Sequence, residues 1–155
     1  MERILVPIDF SDVTEPVMRM VEVLASAFKA RVYLAHVISQ DLVGIGGDFG
    51  FAFVQDKTEH ELDRKNLEVL VDRLTGQEHQ AELLLLEGPV VKTILAQIDR
   101  LKIDLIVMGS HGHGAVYDLM VGSVSEGVMR KAHCPVMIVP SPDRVEVRGK
   151  QSGAS

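Results

Sequence analysis

Apolar positions along the chain fall into two alternating kinds of run. Short, largely apolar runs stand at Ile4 to Ile8, Arg31 to Val37, Ala81 to Leu86, Ile103 to Met108 and Pro135 to Val139. Their length and their content of Val, Ile and Leu predict five strands. Between them the apolar residues recur at three- and four-residue steps. Val13, Val17, Met20, Val21, Leu24 and Phe28 mark a first amphipathic helix. A second is predicted from about Gln55 to Leu74, with Leu62, Val69, Leu70 and Leu74 inward and Gly76 just past its end. Gly88-Pro89 opens a third, whose inner stripe is Val90, Val91, Ile94, Leu95 and Ile98. A fourth starts at Ser123. The stretch Ser39 to Gly50, which holds Gly44, Gly46, Gly47 and Gly50, reads as loop.

Strands alternating with helices predict an α/β fold: a single doubly wound five-stranded parallel sheet with helices on both faces. The first strand and the later part of the fourth are almost continuously apolar, as parallel strands covered on both faces are. In such sheets ligands bind beyond the C-terminal strand ends, where the strand order reverses. Pro7-Ile8-Asp9, Val37-Ile38-Ser39 and the segment from Gly109 onward lie at such ends. They converge only if the first and fourth strands are neighbours, which gives the order 3-2-1-4-5. One domain over residues 1–140 is expected, followed by a polar tail, 141–155, that frays. There is no internal repeat.

Composition narrows the function more by exclusion than by suggestion. A formal net charge of −6 with no basic stripe argues against nucleic acid as a partner. No apolar stretch reaches the roughly 18 residues needed to span a bilayer. The first residues enter a strand at once and lack the shape of a signal peptide, so a cytoplasmic location is the expectation. The one cysteine, Cys134, has no internal partner for a disulfide.

The segment Met108-Gly109-Ser110-His111-Gly112 through Gly122-Ser123-Val124-Ser125-Glu126 carries the candidate chemistry. Its spacing is G-x2-G-x9-G-S: a strand, a glycine-bearing loop and a helix start. Free backbone N–H groups at a helix N-terminus, on its positive dipole end, suit phosphate. Loop glycines let the backbone approach a ligand closely. A P-loop signature is absent, and the G-x-G at Gly112 and Gly114 meets Tyr117 where a third glycine would stand. A dinucleotide fingerprint would also belong after the first strand, not the fourth.

This pattern, preceded by Ile-Val-Met and followed by Val-Ser-Glu, resembles the nucleotide-binding motif of the universal stress protein family, in its ATP-binding branch. Ile4-Leu5-Val6-Pro7-Ile8-Asp9, Ala35-His36-Val37 and His133-Cys134-Pro135-Val136 extend the resemblance over roughly residues 2–140. The resemblance implies an ATP-binding regulatory protein in a stress response, a nucleotide-dependent switch with little or slow hydrolysis. It places Asp9 at the ribose or adenosine part, Pro7 and Ile8 on the pocket wall and Val37 at adenine through its backbone. Met108 and Gly109 flank the ribose; Gly112, Gly122, Ser123, Val124 and Ser125 cradle the phosphates. ATP is the expected ligand, with ADP or AMP as variants and a Mg²⁺ ion bridging the phosphates. A homodimer through the edge strand 136–139 is also implied, along with a regulatory protein partner. Family members often carry Lys or Arg between the second and third motif glycines. Here that stretch has none and holds His113 and Asp118. His111 and His113 are then the candidates to offset phosphate charge when protonated, and triphosphate affinity is expected to rise as pH falls through about 6.5.

Several of these residues have plainer roles open to them. Ser123-Val124-Ser125-Glu126 is a capping box, in which Ser123 caps the helix. Asp9 fits a turn or a cap, although Ser11 and Asp12 are better placed to cap. His36, on a strand, reads as a core histidine with a satisfied ring. Cys134 reads as a small buried apolar residue. Phe49, Phe51 and Phe53 alternate among glycines; a lid over adenine, a subunit contact and packing on this chain's own core all remain open. Two other functions stay in view. One is a slow ATP hydrolase or nucleotidyl-transfer enzyme, although Asp9-Phe10-Ser11-Asp12 offers no H-x-G-H signature. The other is a nucleotide-free dimeric adaptor.

Overall fold

A computed structural model of the chain describes residues 1–39, 42–44, 51–53, 57–110 and 122–141. The elements run β1 (Arg3–Pro7), α1 (Thr14–Phe28), β2 (Arg31–Ile38), β3 (Leu42–Gly44), β4 (Phe51–Phe53), α2 (Lys57–Thr75), β5 (Ala81–Glu87), α3 (Val90–Leu101), β6 (Leu105–Gly109), α4 (Ser123–Lys131) and β7 (Val136–Val139). Five strands form one sheet in the order β5-β2-β1-β6-β7, and every pairing in it is parallel. Counted within that sheet, the order is 3-2-1-4-5.

Strand alternation divides the core into two layers. Ile4 and Val6 of β1, Val32 and Leu34 of β2, and Leu105 and Val107 of β6 face α1 and α2, where Val17, Met18, Val21, Ala25, Leu67 and Leu74 meet them. The intervening Leu5, Tyr33, Ala35, Ile106 and Met108 face the other way, onto Ile94 and Ile98 of α3 and Val128 of α4. Period-two side-chain alternation on a strand thus buries both faces of the sheet.

The inward faces of two helices differ from the sequence expectation. On α1, Met20 and Phe28 are exposed, while Met18 and Ala25 are buried. On α2, Leu62 and Val69 are 58% and 65% exposed, and the buried positions are Leu67 and Leu74, flanked by partly buried Leu70 and Val71. The true stripe of α2, 67-70-71-74, keeps strict helical spacing; Leu62 and Val69 lie off it. The stretch expected as loop contains strand: β3 and β4 pair antiparallel, with Leu42 opposite Phe53 and Gly44 opposite Phe51. Phe and Val favour an extended backbone, and the surrounding glycines hid that signal. Phe49 lies outside the described residues. Ser141, first residue of the expected tail, is buried, and residues 142–155 lie outside the described ones.

Candidate functional site

The C-terminal ends of β1 and β6, the two strands between which the chain order reverses, open onto a cavity of about 410 Å³. Pro7, Ile8 and Asp9 line it from the end of β1, and Ala35, His36 and Val37 from β2. Met108 and Gly109 contribute from β6, and Gly122, Ser123, Val124 and Ser125 from the start of α4. Val90 and Ile94 of α3 close an apolar side. Ten positions singled out in the sequence are therefore brought together around one space. His111, Gly112 and His113 lie outside the described residues.

The α4 end of the cavity is built to leave donors free. Gly122 is the N-cap, in extended conformation, and having no side chain it cannot cap. Ser123 is the first residue inside the helix, so the expected capping box does not form. Glu126 does not reach back; its carboxylate pairs with Arg130 one turn on, at 2.8 Å. The Gly122 N–H bonds the Ser110 carbonyl and the Glu126 N–H the Gly122 carbonyl. The N–H groups of Ser123, Val124 and Ser125 fall in the first turn, where no intrahelical acceptor exists. Ser125 is buried, and its hydroxyl donates to the Gly109 carbonyl at 2.8 Å.

The β1 end is organised by a turn and a histidine. Asp9 Oδ1 accepts the Ser11 N–H at 3.1 Å, an Asx-turn. Phe10, between them, takes a left-handed φ of 57°. The expected caps Ser11 and Asp12 give way to Val13, which caps α1 without a side-chain bond. The Ile8 N–H bonds the Ala35 carbonyl at 2.8 Å, and the Ile8 carbonyl lies 2.8 Å from His36 Nδ1. His36 Nε2 stands 3.4 Å from Asp63 Oδ2 of α2, and the Phe10 ring lies 4.9 Å from the imidazole, centroid to centroid. The ring is thus satisfied, as expected, and also forms part of the cavity wall, which periodicity alone did not reveal.

Charge on the wall is sparse. Among the described lining residues Asp9 is the carboxylate, and there is no Lys or Arg. An anion here would rest on the α4 dipole and its N–H groups. Among the described residues no cluster of three His, Cys, Asp or Glu could hold a metal ion by itself. A cation with one carboxylate nearby suits the habit of Mg²⁺, which keeps its waters and relies on phosphate oxygens. Cys134 is half-buried at the far end of the α3–α4 layer, where burial raises its thiol pKa.

The family pattern of the universal stress proteins matches residues 1–140. The chain belongs to the universal stress protein family. Among relatives, the universal stress protein MJ0531 of Methanocaldococcus jannaschii is 29% identical over 146 residues, covering 92% of this chain and 84% of the relative. A Thermus aquaticus universal stress protein is 32% identical, covering 88% and 96%. Among solved structures, MJ0577 of M. jannaschii superposes with a TM-score of 0.69 at 24% identity, covering 90% and 95%. An Archaeoglobus fulgidus universal stress protein in complex with dAMP gives 0.66 at 24%, covering 90% and 98%. A universal stress protein in complex with cAMP gives 0.66 at 22%, covering 90% and 97%. At these identities the structural likeness establishes the shared fold. No helix among the described residues is long and apolar enough to cross a membrane.

Proposed function

We propose that the protein is an ATP-binding regulator, in which nucleotide occupancy of the cavity alters contacts with a protein partner. The observation that carries this reading is the uncapped start of α4, with the N–H groups of Ser123, Val124 and Ser125 beside a cavity at the strand-order reversal. Phosphates would sit there, with Gly112 completing the cradle and His111 and His113 adding charge. Val37 would hold adenine through its backbone against Val90 and Ile94, with Pro7 and Ile8 beside them. Asp9, Met108 and Gly109 would flank the ribose, and Mg²⁺ would bridge the phosphates. Relatives in complex with dAMP and cAMP support an adenine nucleotide over other classes.

Turnover is expected to be slow. The described lining residues contain no arginine finger and no phosphate-binding lysine. A homodimer through β7 fits the same reading: β7 is an edge strand, and its Val136, Met137 and Ile138 are only partly buried.

The test is to denature the purified protein with acid and resolve the released nucleotides by chromatography. ATP supports a slow switch. ADP or AMP alone, together with measurable turnover, moves the reading to a hydrolase. No nucleotide, and no heat on titration with Mg²⁺ and ATP, leaves the cavity without this role and favours the adaptor.

A further inference from the structure

Two hydroxyl groups on the cavity wall have no hydrogen-bond partner among the described residues. Ser11 is 8% exposed, and its Oγ is unpaired; the Oγ1 of Thr14, three residues on, is unpaired too. Both residues line the cavity, beside Asp9. A buried hydroxyl without a partner destabilises the empty protein, and a protein keeps such a group where something else satisfies it. A side chain on a cavity wall needs only rotation about χ1 to present its hydroxyl to a ligand.

The chemistry of that ligand group follows from the contrast between the two helix starts that meet the cavity. The α4 start has three N–H groups without intrahelical acceptors. The α1 start has almost none to offer. Pro16 has no N–H, and the Thr14 N–H is bound to the Ser11 carbonyl at 3.0 Å. Asp12 beside them is acidic, and the Glu15 carboxylate is turned to Arg73 at 2.7 Å, so this helix start holds no free cation of its own. An anion is therefore drawn to α4 and turned away from α1. The group met at α1 is neutral and both donates and accepts, because it faces two hydroxyls and the Asp9 carboxylate. Sugar hydroxyls have that character.

We infer that Ser11 Oγ and Thr14 Oγ1 are ligand-binding groups that read the sugar hydroxyls of a bound nucleotide, selecting ribonucleotides over deoxyribonucleotides. This rests on the nucleotide reading above. Titration calorimetry with Mg²⁺ and either ATP, 2′-deoxy-ATP or 3′-deoxy-ATP tests it on the wild type, Ser11→Ala and Thr14→Val. The wild type should bind ATP about 3- to 10-fold more tightly than the weaker deoxy analogue, the range that one net hydrogen bond supplies. Each variant should bring that ratio toward one. Each should also melt, without ligand, at the wild-type temperature or above it, since an unsatisfied hydroxyl has gone. A wild type that does not discriminate overturns the inference, as does a ratio unchanged in both variants; an ordered water joining the hydroxyls would give the second result. If ATP binds and the ratio does not respond, this inference alone falls. If no nucleotide binds, the proposed function falls with it.

Discussion

Ser125, in the first turn of α4, donates its hydroxyl to the carbonyl of Gly109 at the end of β6, across 2.8 Å. One bond thus ties the α4 end of the cavity to the strand that floors it. With its hydroxyl proton committed there, Ser125 would meet a phosphate of the proposed ligand through its N–H. Ser125→Ala should cost about 1 kcal/mol of stability in chemical denaturation. It should also weaken ATP binding in calorimetry, because the α4 start loses its anchor. Ser125→Thr, which keeps the hydroxyl, should restore part of both.

The turn after β1 is held from the side by His36, whose Nδ1–H is placed to donate to the Ile8 carbonyl while Nε2 faces Asp63. His36→Phe keeps a flat ring but removes the donor, leaving a carbonyl on a nearly buried residue without its side-chain partner. A loss of about 1–2 kcal/mol is expected from urea unfolding, with weaker ATP binding because the Asp9 turn shifts. Asp63→Asn should move binding in the same direction by less, since it acts only through the imidazole.

Gly127 packs α4 onto α3. A Cβ there would stand 2.9 Å from Cγ2 of Val91. Alanine favours a helix over glycine by about 1 kcal/mol, but Val91 is β-branched and stiff within its own helix. The collision should win: Gly127→Ala is expected to lower stability by about 1 kcal/mol net. Adding Val91→Ala should recover part of the loss, a sign of direct contact that a thermal melt of the double variant reads.

At the opposite end of the strands from the cavity, Asp104 accepts the N–H groups of Glu2 and Arg3 at 2.7 and 3.0 Å. These two bonds hold its carboxyl below the usual carboxylate range. A depressed folded-state pKa gives stability that is present above the unfolded value, near about 3.9, and is lost as pH falls through the folded value. Asp104→Asn should therefore lower the melting temperature at pH 7 by about 2–4 °C, the shift expected for roughly 1 kcal/mol in a chain of this size. The gap to wild type should close as pH drops below about 4. ATP binding should not change, because Asp104 lies far from the cavity along the strand direction.

The central adjacency of the sheet was legible because three strand ends carried candidate ligand chemistry, and they converge only if the first and fourth strands are neighbours. The Met108-to-Ser125 segment was legible because its three glycines and a serine keep a fixed spacing between a strand and a helix start. What periodicity missed has physical causes. Helix α1 has apolar residues at 17, 18, 20, 21, 23, 24, 25, 27 and 28, so two stripes compete, and small Ala25 against the sheet decides between them. Ser123-to-Glu126 had the letters of a capping box, but Gly122 takes the cap position and Glu126 turns to Arg130. Ser11, Thr14 and His36 reach the cavity through a turn around left-handed Phe10 and a cross-strand bond to Ile8, and neither leaves a spacing to read. The roles of His111, Gly112 and His113 rest on the sequence alone.

The most direct test of the central claim follows backbone amide resonances of the ¹⁵N-labelled protein as Mg²⁺ and ATP are added. The account predicts saturable shifts at Ser123, Val124 and Ser125, where the phosphates would sit, and at Ile8, Asp9 and Val37 around the nucleoside. Residues at the far end of the strands, such as Asp104, should stay still. Shifts confined to a surface away from the cavity, or no saturable shift at millimolar ATP, would contradict it.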